Sequence, residues 1–286
     1  SVLQEDLNYV WVYHMPYLGG TASLKSVERP CAISWKSEVA FIGQRKKGFT
    51  ALSMPTFASG PGSVVTTVDS GKSLCALFTP FRPVRGAQMF PGVEPDLEDV
   101  VALDTDTNTI YHYAPPTQSA SSYVLKGTAQ LNLNTTDNLS LVAQVEVGDY
   151  FGGVAGLALV FTDGNHRGVH RLVVIGLDPQ REIAQETYSW PIGVPAAVLH
   201  EDLDRDGVPE IAIISSTSPQ AVVFEAHAAT DGIISEYLPL RAPGFVEIGL
   251  GATTAVTSLQ QVFGYDALYV GYRDRKEVRA LLLPDN

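Results

Sequence analysis

The chain has 286 residues, with 19 Lys and Arg against 31 Asp and Glu, a formal charge of −12 and an isoelectric point near 4.8. That balance excludes a phosphate-neutralising face, so nucleic acid is not an expected partner, and the basic run Arg45-Lys46-Lys47 reads as a solvated turn. With 45% apolar and 17% charged residues the chain can bury a large core, which excludes disorder, and no apolar run approaches the roughly 20 residues that span a bilayer.

Taken in chain order, the apolar segments are short, rich in Val, Ile, Leu, Tyr and Phe, and bounded by Gly, Pro, Asp or Ser. That is the signature of strands, and no amphipathic helix interrupts it. Val2–Gln4 and Asn8–Val12 come first; then Cys31–Trp35, Glu38–Ile42 and Phe49–Ser53; then Leu74–Phe78, Asp99–Leu103 and Ile110–Tyr113. Leu141–Val145, Gly156–Val160 and Arg171–Ile175 follow, then Ala196–Leu199, Glu210–Ile214 and Ala221–Phe224, and last Thr254–Thr257, Asp266–Val270 and Val278–Leu282.

The second member of each group opens on a short polar or small residue, and these six openings are spaced by 30, 61, 57, 54 and 56 residues. Repeated groups of three or four antiparallel strands are what radially packed blades require. The expected architecture is therefore all-β, a single β-propeller domain over residues 1–286, six-bladed with three- to four-stranded blades. Five blades or a large β-sandwich are the alternatives.

Two cysteines are too few for a disulfide framework or a zinc site. Cys31 and Cys75 open neighbouring inner strands at nearly equivalent positions, which predicts a bond between them; two buried free thiols are the alternative. Two N-x-S/T triplets begin at Asn134 and Asn138 in a polar stretch, so a surface loop carrying N-glycans is expected. The sequons point to a secreted or secretory-pathway protein, whose leader, if it was exported, is already gone; no membrane span is expected.

Asp202-Leu-Asp204-Arg-Asp206-Gly207-Val208-Pro-Glu210 alternates carboxylates around a glycine and ends at a strand. It resembles the calcium-binding hairpin loop of integrin-like FG-GAP propellers. The resemblance implies one structural Ca²⁺, held by the side chains of Asp202, Asp204, Asp206 and Glu210 and the carbonyl of Val208. The other repeats lack the pattern: Gly148, Tyr150 and Gly152, or Pro91, Val93 and Pro95, stand where the aspartates would be.

Cys31–Ile42 and Asp99–Tyr113 also resemble blades of the six-bladed fungal fucose-lectin family. That family holds sugar with an arginine on the second strand, which the second strands here lack, so its sugar site does not carry over.

Because the repeats have diverged, one asymmetric site at the channel mouth is expected rather than a repeated one. Trp35 would stack on a flat ring, while Arg82 and His200 would polarise an oxygen; Lys36, Gln144, Glu146 and Gln260 also sit on or beside inner strands. The corresponding function is a cofactor-independent cyclase or pericyclase acting on a small molecule, with fungal hetero-Diels–Alderases of tropolone-sesquiterpenoid pathways as a precedent on lectin-like propellers. The alternative is a glycan-binding lectin or adhesive FG-GAP-type propeller.

His166 and His170 fall beside a glycine-rich turn and are not read as metal ligands. His112 alternates with Tyr111 and Tyr113 and is expected to face solvent. No hydrolase elbow, zinc-protease pair or phosphate loop occurs, and no organic cofactor is expected.

Overall fold

The structure is a computed structural model. It describes residues 2–3, 10–11, 29–36, 39–53, 64–80, 98–116, 122–133, 139–151, 154–163, 169–178, 180–191, 193–203, 206–218, 220–226, 240, 244–247, 253–256, 260–262, 265–272 and 276–282.

Strands β1 (Val2–Leu3) and β2 (Val10–Trp11) form a two-stranded ladder. Four strands follow in one sheet: β3 (Pro30–Lys36), β4 (Val39–Gln44), β5 (Gly48–Ser53) and β6 (Val64–Asp69), paired in chain order. The next sheet runs β7 (Leu74–Phe78), β8 (Val100–Asp104), β9 (Thr109–Ala114) and β10 (Val124–Gln130). Then come β11 (Leu139–Phe151), β12 (Val154–Asp163), β13 (His170–Leu177) and β14 (Ile183–Trp190). The fourth sheet holds β15 (Pro195–Glu201), β16 (Glu210–Ser215), β17 (Gln220–Phe224) and β18 (Gly244–Glu247). In the last, β19 (Thr253–Val256) and β20 (Gln260–Val262) pair with successive parts of β21 (Tyr265–Tyr272), and β22 (Glu277–Leu282) takes its other edge.

The architecture is all-β, as the sequence predicts, and the six repeats correspond to five four-stranded sheets and the two-stranded ladder. Burial explains why some strands were legible. All of β4, β8 and β16 is buried, whereas β10 is mostly exposed and β14 mostly half-buried. The fourth strand of a sheet carries polar side chains because one face and one edge meet water, so it lacks the apolar signature that marks the other three.

One irregularity recurs. In all five four-stranded sheets the first strand bulges against the second, leaving Cys31, Cys75, Val142, Ala196 and Thr254 outside the pairing register. An alanine follows each bulge: Ala32, Ala76, Ala143, Ala197 and Ala255. A bulge sharpens the local twist and re-aims one side chain, so the repeat unit is defined by a backbone device as much as by its apolar pattern.

The chain packs as two compact units. Unit 1 comprises residues 1–131 with 180–183, and its core gathers Val39, Phe41, Phe49, Leu74, Leu77, Val100, Tyr111, Tyr113 and Tyr123. Phe49 meets Tyr113 and Tyr123 edge-on at 5.4 and 5.2 Å between ring centres, geometry that adds to the area term. Gly43 lets β4 pass the next sheet, since a Cβ there would lie 1.9 Å from the Leu74 carbonyl oxygen. Unit 2 comprises residues 132–179 and 184–286, with a core around Val147, Tyr150, Phe151, Val160, Leu172, Trp190, Ile211, Ile213 and Phe224.

Within unit 1 the predicted disulfide is present. Cys31 and Cys75, the bulged residues of neighbouring first strands, are bonded with their Cα atoms 5.0 Å apart.

Candidate functional site

The β15–β16 hairpin builds the most concentrated polar site among the described residues. Asp202 follows the end of β15, Glu210 opens β16, and Glu201 pairs with Glu210 across the ladder, so the strands fix both ends of the loop between them. Asp202 is half-buried, Asp206 exposed and Glu210 buried, and one carboxylate oxygen from each lies within 4.8 Å of the others.

Three main-chain donors hold this loop in shape. Leu203 N–H donates to Glu210 Oε2 at 2.7 Å, Gly207 N–H to Asp202 Oδ2 at 3.0 Å, and Val208 N–H to Asp206 Oδ1 at 2.8 Å. Gly207 takes φ +90°, in the left-handed region a side chain resists. Asp202 Oδ1 is buried and has no hydrogen-bond partner among the described residues. Three carboxylates so close repel one another, and a buried orphaned oxygen is costly, unless a cation sits among them. The donor set is all oxygen, which suits a hard cation such as Ca²⁺. Asp204 lies outside the described residues, and Val208 is half-buried beside the three carboxylates.

The residues expected at a channel-mouth site fall on several strands of the two units, some of them outside the described positions. Trp35 and Lys36 lie on β3, Trp35 paired with Ala40, and their side chains are outside the description. Arg82 lies outside the described residues altogether. His200 is half-buried on β15 opposite Ile211. On β11, Gln144 and Glu146 are half-buried, and the buried Gln144 Oε1 finds no hydrogen-bond partner among the described residues. Gln260 lies on β20.

Asn134, Asn138 and His166 fall outside the described residues. His170 begins β13, where its Nδ1 lies 3.0 Å from Thr162 Oγ1 and its ring packs on Trp190 in the core.

His112 corrects an expectation. It faces away from Tyr111 and Tyr113, as alternation requires, yet it is only 5% exposed. The unpredicted β10 makes β9 an interior strand, and His112 Nε2 lies 3.3 Å from Asp99 Oδ2. Asp99, 3% exposed, also accepts from Arg181 Nη1 at 3.4 Å within unit 1. Both side chains are buried, and the contact is one of distance only, since His112 Nε2 has no hydrogen-bond partner among the described residues.

A second cluster escaped the sequence reading. In unit 2, Tyr150 Oη lies 2.9 Å from both Glu186 Oε2 and Tyr188 Oη, Tyr188 Oη also donates to Glu186, and Leu240 N–H donates to Tyr188 Oη at 3.3 Å. Burial is the main reason both phenols ionise late, Tyr188 at about 12 and Tyr150 higher still. No short-range motif links residues 36 and 38 positions apart.

No protein-family model matches the chain, and no curated protein matches it. Solved structures do. The chain is similar to Saccharomyces cerevisiae Sqt1 at a TM-score of 0.51 and 11% identity, over 90% of this chain and 62% of Sqt1. It is similar to BBS1N, crystallised in complex with ARL6DN, at a TM-score of 0.51 and 13% identity, over 98% of this chain and 68% of BBS1N. Both are propellers, and identity at this level speaks to fold alone. The chain folds as a β-propeller. The repeated first-strand bulges are thus a blade-level device, and the carboxylate loop is one blade's first hairpin.

Proposed function

We propose that residues 1–286 form a single calcium-braced β-propeller of the FG-GAP type, working as a binding module for a protein partner. One observation carries the reading: Asp202, Asp206 and Glu210 each place a carboxylate oxygen within 4.8 Å of the others, and the buried Asp202 Oδ1 has no partner among the described residues. When bound, Ca²⁺ would neutralise the loop. Asp202 and Glu210 would then tie the end of β15 to the start of β16, so the cation stiffens a hairpin rather than performing chemistry.

A protein partner is proposed by analogy with a similar propeller. BBS1N, one of the similar propellers, was crystallised with a protein partner. The Cys31–Cys75 bond supports an oxidising, secretory setting. A cyclase site around Trp35, Arg82 and His200 remains the second reading, and an alanine scan of the three with small-molecule turnover as readout separates it from the first.

The direct test is calcium titration of chelator-treated protein by calorimetry, with thermal melting in parallel. The expected result is one site per chain and a raised Tm, both lost in Asp202→Ala. A wild-type protein that neither takes up calcium nor melts higher in its presence defeats the reading.

A further inference from the structure

We propose that one end of unit 1 carries a basic docking patch for a short acidic segment of a partner protein; this rests on the binding-module reading and names the partner's chemistry. The patch is assembled by backbone stitching between turns distant in sequence. Arg45 N–H donates to the Arg29 carbonyl at 3.0 Å, Ser70 N–H to the Lys47 carbonyl at 2.7 Å, and Lys46 N–H to Ser73 Oγ at 3.2 Å. Those bonds bring Arg29, Arg45, Lys46, Lys47 and Lys72 to the same end of two neighbouring sheets that the Cys31–Cys75 bond joins. Lys72 Nζ is steered over the Tyr111 ring, 4.7 Å from its centre.

The chain holds 19 basic residues at a net charge of −12, so five of them at one end is a local reversal of sign. Three acids, Asp69, Asp104 and Asp106, share this end, so the cations outnumber them five to three. Asp104 is buried and accepts from Ser73 N–H, Asp106 N–H and Thr107 Oγ1, and Asp106 accepts from Ser73 Oγ at 2.6 Å. Asp69, at the end of β6, and Asp106 are both exposed. Arg29, Arg45 and Lys46 are exposed, and no ion pair engages them among the described residues.

Two of the patch residues occupy strained turn positions. Arg29 sits at φ +48° and Lys46 at φ +56°. The left-handed region disfavours ordinary side chains, and the corresponding β8–β9 hairpin turn uses Asn108 at φ +52°, a residue type that tolerates it. Arg181 and Lys276 take the same region outside the patch, at φ +63° and +51°, so this conformation marks turn positions and the case for the patch rests on its charge.

The occupant follows from size and charge. Duplex DNA presents one charge per about 1.7 Å of axis and would run off the patch onto an acidic surface. A segment with a few carboxylates ends where the cations end, and Arg forks match carboxylates bidentately.

The test is fluorescence anisotropy of a labelled ten-residue Glu-rich peptide, a heparin hexasaccharide and a ten-nucleotide DNA strand at 50 and 200 mM salt. Wild type, Arg45→Gln/Lys46→Gln/Lys47→Gln and Lys46→Gly are compared, with melting and calcium uptake read on the same samples. Saturable peptide binding, weakened by salt and lost at least tenfold in the triple variant, is expected. Lys46→Gly should bind severalfold more weakly while its Tm is unchanged or higher, a split that a purely structural lysine would not give. No saturable peptide binding, equal binding by the triple variant, or tighter binding of heparin or DNA than of peptide overturns the proposal. Peptide binding without calcium uptake supports the patch and removes only the calcium reading; calcium uptake without peptide binding does the reverse.

Discussion

Cys31 and Cys75 are the same residue of the repeat in two successive blades: each is the bulged position of a first strand, and the bond between them closes a 44-residue separation. In the chain-entropy account, a crosslink over that separation contributes about 3–4 kcal/mol, by restricting the unfolded chain. Cys31→Ser/Cys75→Ser should therefore lower the urea midpoint clearly, and reduction of the native protein should reproduce the loss. Equal midpoints in urea melts of the two proteins would show that the bond constrains nothing.

The bulge offers a sharper test of the repeat. Val142 and Ala196 hold the bulged position in β11 and β15, neighbouring first strands of unit 2. If the device is equivalent from blade to blade, their Cα atoms lie near the 5.0 Å of the native pair, within disulfide range. Val142→Cys/Ala196→Cys should oxidise spontaneously, leaving no titratable thiol in the denatured, unreduced protein, and should melt higher than the parent. Two free thiols would mean that the bulges are alike in register only.

The sequence disclosed what is local and apolar. Leu74–Phe78 was read to the residue, and the first three strands of four sheets were found, with β19, β21 and β22 of the last but not its short β20, because buried strands are marked by Val, Ile and Leu. The fourth strands, Val64–Asp69, Val124–Gln130, Ile183–Trp190 and Gly244–Glu247, were missed, because exposed faces take residues that also suit loops. The Asp202–Glu210 loop was legible since its carboxylates lie within nine residues. Asp99 and Arg181 were not, being 82 positions apart, and no periodicity reports which distant turn reaches a buried carboxylate.

The sequons at Asn134 and Asn138 are flanked by anchored backbone. Asn132 N–H donates to Gln185 Oε1 at 2.7 Å, its carbonyl accepts from Thr187 Oγ1 at 2.5 Å, and Arg171 Nε donates to the Leu133 carbonyl at 3.0 Å. On the far side Leu139 pairs with Asp163. Expression through a eukaryotic secretory route should add one glycan, since two acceptors four residues apart crowd each other. Intact mass before and after glycosidase checks this, and Asn134→Gln/Asn138→Gln should abolish the difference.

Tyr150 and Tyr188 predict an alkaline weakness in unit 2. Both phenols ionise later in the folded chain than the ordinary value of about 10, Tyr188 near 12 and Tyr150 beyond it, chiefly because burial disfavours the phenolate; Glu186 raises both further, and the Tyr188 hydroxyl raises Tyr150, while the bond from Tyr150 partly offsets the rise at Tyr188. The folded state thus holds these protons more tightly than the unfolded chain. The stabilisation is complete below the unfolded value near 10, declines as pH rises from there, and is gone once pH passes the folded values. Unit 2 should lose stability from about pH 10 upward, with phenolate absorbance rising together with unfolding rather than ahead of it. Tyr150→Phe removes one late-ionising group and the hydrogen bond to Glu186, so it should cost about 1 kcal/mol at pH 7 and flatten the decline above pH 10. Urea midpoints at pH 7, 9, 10 and 11 measure both effects. A variant that declines as steeply as wild type would assign the alkaline loss elsewhere in the chain.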